Sequence, residues 1–186
     1  SKFIFRSKAK WVFRSKERIK RILLFYFRIN FFPRPFIGRF SYTDPLKSYG
    51  LTNIWIDSRW SFNEEINRKM IKFADPYVVF APSAAWEMKR WPISHWKELI
   101  KKYNDKKIVL IGGPEDRFIE EFVSIAPDRV ENLAGKISFT ESACLIKKAD
   151  FVISADTGVI HVADLLGVKG VLILGPTAFG RTAGDH

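Results

Sequence analysis

From residue 77 onward, short apolar runs alternate with polar-faced stretches of about ten residues. "YVVFAPS" (77–83) predicts a buried strand, and "SHWKELIKKY" (94–103) a helix with Ser94 as its N-cap. "KIVLIGG" (107–113) predicts the next strand, and Pro114, Glu115 and Asp116 then open a helix with proline first and acids in its first turn. Past "RVENLAG", Ser138 and Glu141 have capping-box spacing at the head of "SFTESACLIKKA". "DFVIS" (150–154), a helix over 158–166 and "GVLILG" (170–175) complete the series. Apolar runs alternating with helices imply right-handed βαβ crossovers, hence a Rossmann-like α/β domain with a parallel sheet covered by helices on both faces. Ligands of such sheets bind at the carboxyl ends of the strands, which here singles out loops 81–91, 111–116 and 154–161.

Upstream the pattern is less regular. Residues 41–75 carry Pro, Gly and Asp breakers and room for one short helix in "EEINRKMIKFADP", so they read as connecting structure and the α/β domain is expected to span 76–186. A helix over 14–29 would place Arg14, Arg18, Arg21 and Arg28 on one face and Ile19, Ile22, Leu23 and Tyr26 on another.

Charge sharpens that picture. The 186 residues have a formal net charge of +11, and residues 1–40 alone hold 12 Lys or Arg against the single acid Glu17, so the rest of the chain is neutral. A basic amphipathic helix among Phe and Trp suits an anionic membrane surface or a phosphorylated lipid. A solvated helix packed on a neighbouring domain would show the same pattern, and nucleic acid, the third possibility, is not the expected partner. One cysteine, Cys144, rules out an internal disulfide framework and multi-cysteine metal sites, and with no signal-peptide pattern or apolar run long enough to span a bilayer a cytoplasmic protein is expected. The Ser start and the "TAGDH" end suggest a fragment or processed chain.

Of the three loops, 154–161 is the most informative. Asp156, Thr157 and Gly158 join a strand to a helix whose first turn carries His161; free amides, a glycine and a hydroxyl at a helix start are what a phosphate needs, and His161 could add a donor. Equally, Asp156 or Thr157 could simply cap the helix and His161 pack, and the residues alone do not decide. In "APSAAWEMKRWPI" the small residues Ser83, Ala84 and Ala85 let a ligand near the backbone, and Lys89 could neutralise phosphate, although a surface Lys-Arg pair lying over tryptophans fits too. "IGGPED" lacks the dinucleotide fingerprint, and the chain has no Walker lysine motif, GxSxG elbow, HExxH or Asp-x-Asp metal motif, so no metal and no cofactor is expected.

Taken in order, "KRWP", "GGPEDR", "NLAGKISFTESACLIKKADFVIS", "ADTGVIHVADLLGV" and "LILGPT" resemble glycosyltransferase family 9, the lipopolysaccharide heptosyltransferases, over residues 77–183. Residues 1–55, with "RILLFYFRINFFPRPF", look more loosely like the basic linking part of the family's N-terminal domain. The resemblance implies the C-terminal half of a GT-B enzyme that transfers heptose with inversion from ADP-heptose to the lipid A inner core, working peripherally on the cytoplasmic face of the inner membrane. It implies donor contacts for Ser83, Ala84, Ala85, Lys89, Asp156, Thr157, Gly158 and His161, with Lys89 and His161 stabilising the leaving diphosphate, while the basic helix itself suggests a membrane or acceptor role for Arg14, Arg18, Arg21 and Arg28. Ser83 stands where the family usually has glycine, Ala85 where it has a hydroxyl, and Asp164 lies in a usually apolar stretch. The turn carrying the family's general base has no counterpart, so the base is expected outside this segment, which alone should bind nucleotide weakly and transfer nothing. Two rivals share these features: a nucleotide-sugar epimerase of GT-B type, and a non-catalytic membrane-binding module with a degenerate nucleotide fold.

Overall fold

The computed structural model describes residues 17–32, 44–50, 60–73 and 76–175. The chain divides into two compact units, Ser1–Trp55 and Ile56–His186.

In the first unit, helix α1 spans Arg18–Phe27, and Asp44–Tyr49 forms a 3-10 turn. The expected 14–29 helix is therefore shorter. Glu17 and Arg28 both take left-handed backbone angles, φ 47° and 57°, and the amides of Arg28 and Ile29 fold back onto the Leu23 carbonyl to close the helix. Arg28 thus leaves the helical face on which Arg18 and Arg21 sit, and Arg14 lies outside the described residues. Ile19, Ile22, Phe25, Tyr26 and Phe27 are all exposed, Tyr26 to 81%.

The second unit is built on five parallel strands, β1 (Tyr77–Ala81), β2 (Lys107–Leu110), β3 (Val130–Asn132), β4 (Val152–Ala155) and β5 (Gly170–Ile173), in the order β3-β2-β1-β4-β5. The register pairs Phe80 with Leu110 on one side and Ile153 on the other. Every residue of β1 is buried, as a central strand covered on both faces requires. Helices α2 (Glu64–Lys69), α3 (Ile93–Lys102), α4 (Glu120–Val123), α5 (Phe139–Lys148) and α6 (Gly158–Leu165) cover it.

Side-chain alternation splits the core into two layers. Val78, Phe80, Ile108 and Leu110 meet Trp96 and Ile100 of α3 and Phe122 of α4 on one face. On the other, Tyr77, Val79, Ala81 and Val109 meet Ala143–Ile146 of α5, Val162 and Ala163 of α6, and Met70 and Phe73. The unit therefore begins upstream of Pro76. Trp60 packs with both Phe62 and Phe139, the Lys147 ammonium donates to the Trp60 carbonyl at 2.7 Å, and Lys69 of α2 pairs with Glu141 of α5.

Local chemistry explains where elements depart from the pattern. The expected capping box is present: Ser138 accepts from the Glu141 amide and Glu141 accepts from the Ser138 amide. Ser94 is not a cap, because the Pro92 carbonyl already receives the His95 and Trp96 amides and starts α3 at Ile93. Pro114 does not open a helix. The Asp116 carboxylate receives the Gly113 amide at 2.7 Å, making a turn, and a 3-10 turn over Arg117–Ile119 precedes α4. β3 is a short edge strand hidden in the polar "RVENLAG".

Candidate donor-binding site

In a sheet of this order the chain runs outward in opposite directions from the β1–β4 junction, and ligands sit above that switch point. The loop after β1 and the turn into α6 meet there. After Ala81 the chain makes a 3-10 turn over Glu87–Lys89, held by hydrogen bonds from the Lys89 amide to the Trp86 carbonyl at 2.9 Å and from the Arg90 amide to the Glu87 carbonyl at 2.8 Å. This delivers Lys89 across the junction, where its ammonium lies 2.7 Å from an Asp156 carboxylate oxygen. Asp156 is almost fully covered, its side chain 6% exposed against 29% for Lys89. Its other oxygen is 3.9 Å from His161 Nε2.

Thr157 is the N-cap of α6: its hydroxyl accepts from the Val159 amide at 3.3 Å and contacts the buried Ser154 hydroxyl at 3.1 Å. Of the two sequence readings, capping therefore belongs to Thr157, while Asp156 faces Lys89 and His161. The position of a Cβ on Gly158 is open space, so a ligand can approach the backbone at the helix start. The site thus gathers one ammonium, one imidazole, the positive end of a helix and one buried carboxylate, a set able to hold a diphosphate and a hydroxyl-bearing group together.

The other expected contacts are placed differently. Ser83 is partly buried and its hydroxyl donates to Asp116, in the loop after β2. The carbonyl of buried Ala84 accepts from Arg90 Nε at 2.8 Å, and Ala85 is exposed with only a methyl to offer. Arg18 and Arg21 belong to the first unit.

Two participants escape the sequence reading. Asp116 looks there like a helix-opening acid, yet it is buried and joins loop 111–116 to loop 81–91. Gly175 follows β5 so closely against the lysine-bearing loop that a Cβ would lie 2.9 Å from the Met88 carbonyl and 3.0 Å from Lys89 Cα. The only signal for it is its place in "LILGPT".

The chain is 30% identical over 114 residues to lipopolysaccharide heptosyltransferase 1 of Salmonella typhimurium, covering 60% of this chain and 36% of the relative. It is 30% identical over 111 residues to lipopolysaccharide heptosyltransferase 2 of Escherichia coli, covering 55% and 32%. The chain thus spans about a third of the length of the curated relatives it matches. Among solved structures, E. coli ADP-heptose lipopolysaccharide heptosyltransferase II superposes with a TM-score of 0.57 at 27% identity, over 63% of this chain and 40% of that one. An E. coli heptosyltransferase with ADP-2-deoxy-2-fluoro heptose gives 0.58 at 25% identity, over 84% and 50%. The model of glycosyltransferase family 9 (heptosyltransferase) matches residues 34–184. Fold, motif order and this match agree: the chain belongs to glycosyltransferase family 9, the heptosyltransferases.

Proposed function

We propose that the second unit binds the nucleotide-sugar donor of a heptosyltransferase, with ADP-heptose as the donor and a lipid A inner core as the acceptor. The observation that carries this reading is the Lys89–Asp156 pair, which bridges the β1 and β4 loops above the switch point beside the start of α6. Two solved relatives, one named as an ADP-heptose enzyme and one holding ADP-2-deoxy-2-fluoro heptose, support the choice of nucleotide. In the reaction the acceptor hydroxyl attacks the anomeric carbon as its bond to the diphosphate breaks, inverting that centre and releasing ADP. Negative charge grows on the departing diphosphate. In this reading Lys89, His161 and the amides at 157–158 stabilise that charge more in the transition state than in the ground state. Asp156 contributes a further donor contact. We put the general base outside this segment.

The first unit supplies the second half of the reading. An acceptor anchored in lipid requires the enzyme to work at a membrane surface, and α1 presents exposed Ile19, Ile22, Phe25, Tyr26 and Phe27 beside Arg18, Lys20 and Arg21. No helix among the described residues is long and apolar enough to cross a membrane. We infer peripheral attachment to an anionic, inner-face membrane through this helix.

Calorimetric titration of ADP, UDP and ADP-heptose tests the donor site. ADP and ADP-heptose should bind in preference to UDP, and Lys89→Ala and His161→Ala should each weaken them about tenfold or more, the loss of one charge-assisted hydrogen bond. Unchanged affinity in both variants would remove the diphosphate from this site.

A further inference from the structure

Lys89 sits in a loop, yet a leaving-group cation has to be held in place to be useful. What holds it lies largely outside the site. Arg90, its neighbour, donates through Nε to the Ala84 carbonyl at 2.8 Å, closing the loop on itself, and its guanidinium lies over the Phe118 ring at 5.5 Å. Arg90 Nη2 is 3.9 Å from Asp116, whose carboxylate also accepts from the Ser83 hydroxyl and the Gly113 amide. Asp116 begins a 3-10 turn, but its side chain makes no capping bond to that turn.

Burying a carboxylate is costly unless it is paired and hydrogen-bonded. Here both oxygens of a 5% exposed residue are used, one toward its own turn and one toward both ends of the lysine-bearing loop, Ser83 and Arg90. Just past β5, Gly175 lies so near the Lys89 backbone that a Cβ there would crowd it. We propose that Asp116 is a positioning residue for the donor site: by pinning Ser83 and Arg90 it fixes the β1 loop so that Lys89 meets Asp156 before any donor arrives. It touches no reacting group and acts only through Lys89.

The proposal rests on the donor reading for its functional meaning, but its structural content can be measured without nucleotide. Lysine acetylation followed by mass spectrometry reports the reactivity of the Lys89 amine in the unliganded chain. In Asp116→Asn, Lys89 should label several-fold faster than in the parent while lysines remote from the loop, such as Lys147, keep their rates; Arg90→Lys should act in the same direction. An unchanged Lys89 rate in both folded variants overturns the proposal, whatever nucleotide does. The second arm is a double-mutant cycle on ADP affinity. Asp116→Asn should weaken ADP about tenfold in the parent and have almost no effect in Lys89→Ala, the non-additivity expected of residues acting as one unit. Equal losses in both backgrounds would mean that Asp116 acts elsewhere. Faster labelling with no ADP binding by the parent chain would sustain the positioning role and sink the donor reading.

Discussion

Glu141 shows how much chemistry one side chain can hold. It is nearly buried; the Lys69 ammonium pairs with it, and the Ser138 amide donates to it at 2.6 Å. These partners pull its carboxyl from the usual 4.5 down to about 2. Because the folded value lies below the unfolded one, its contribution is fully present above about pH 4.5 and is lost as pH falls toward about 2. Urea midpoints followed across that interval should drop with acid in the parent, and Glu141→Gln, which keeps a capping acceptor but loses the charge that pairs with Lys69, should flatten the drop. An identical acid slope in the variant would remove Glu141 from the explanation. Tyr77 runs the other way: burial, then the nearby Cys144 thiol, raises its phenol as its hydroxyl donates at 2.6 Å to the Leu145 carbonyl of α5.

At the level of elements, α3 is tied to the sheet by Trp96, fully buried with its ring 5.7 Å from Phe80 and 5.4 Å, edge-on, from Trp91. Its indole N–H meets no acceptor among the described residues. Trp96→Ala should therefore cost about 3–5 kcal/mol in chemical denaturation. Trp96→Phe, which also removes the unsatisfied donor, should cost less than about 1.5 kcal/mol. Equal costs would show that packing of the ring is not what ties α3 to the sheet. Elements of this kind were legible in the sequence because their apolar period is long and unambiguous: β1, β2, β4, β5, α5 with its capping box, and α6. β3 was not, because an edge strand of three residues with Glu131 exposed carries no periodic signal. The turn at 114–116 defeated the pattern because a side chain, not the backbone, decides it. Within the candidate site, residue type and loop position single out Lys89, Asp156 and His161 as candidates but leave their structural alternatives open. The Asp116 link could not be singled out in this way, since it joins Ser83 to a residue in another loop and only the folded sheet brings those loops together.

For the whole molecule, charge and exposure are concentrated in different places from the chemistry. If α1 is the membrane-facing surface, the chain should co-float with vesicles containing anionic lipid and not with zwitterionic ones, and added salt should release it. Arg18→Glu with Arg21→Glu should abolish flotation, and Ile22→Asp should weaken it at low salt. Flotation that survives all three substitutions would assign the attachment to another surface. The strand order of the second unit has a consequence of another kind, in the history of each molecule rather than its final state. β1 finds β2 across one crossover, but it meets β4 only after the whole β2–β3 half and α5 have been made, with Phe80 facing Ile153 across the widest sequence gap of any neighbouring strand pair. Loop closure over that distance is entropically the dearest pairing in the sheet, and contacts so far apart in sequence slow folding. The Lys89–Asp156 pair spans the same seam. A nascent chain can therefore hold a sound β1–β2–β3 layer while Lys89 and Asp156 are still apart, so the proposed donor site can form only once β4 has docked beside β1.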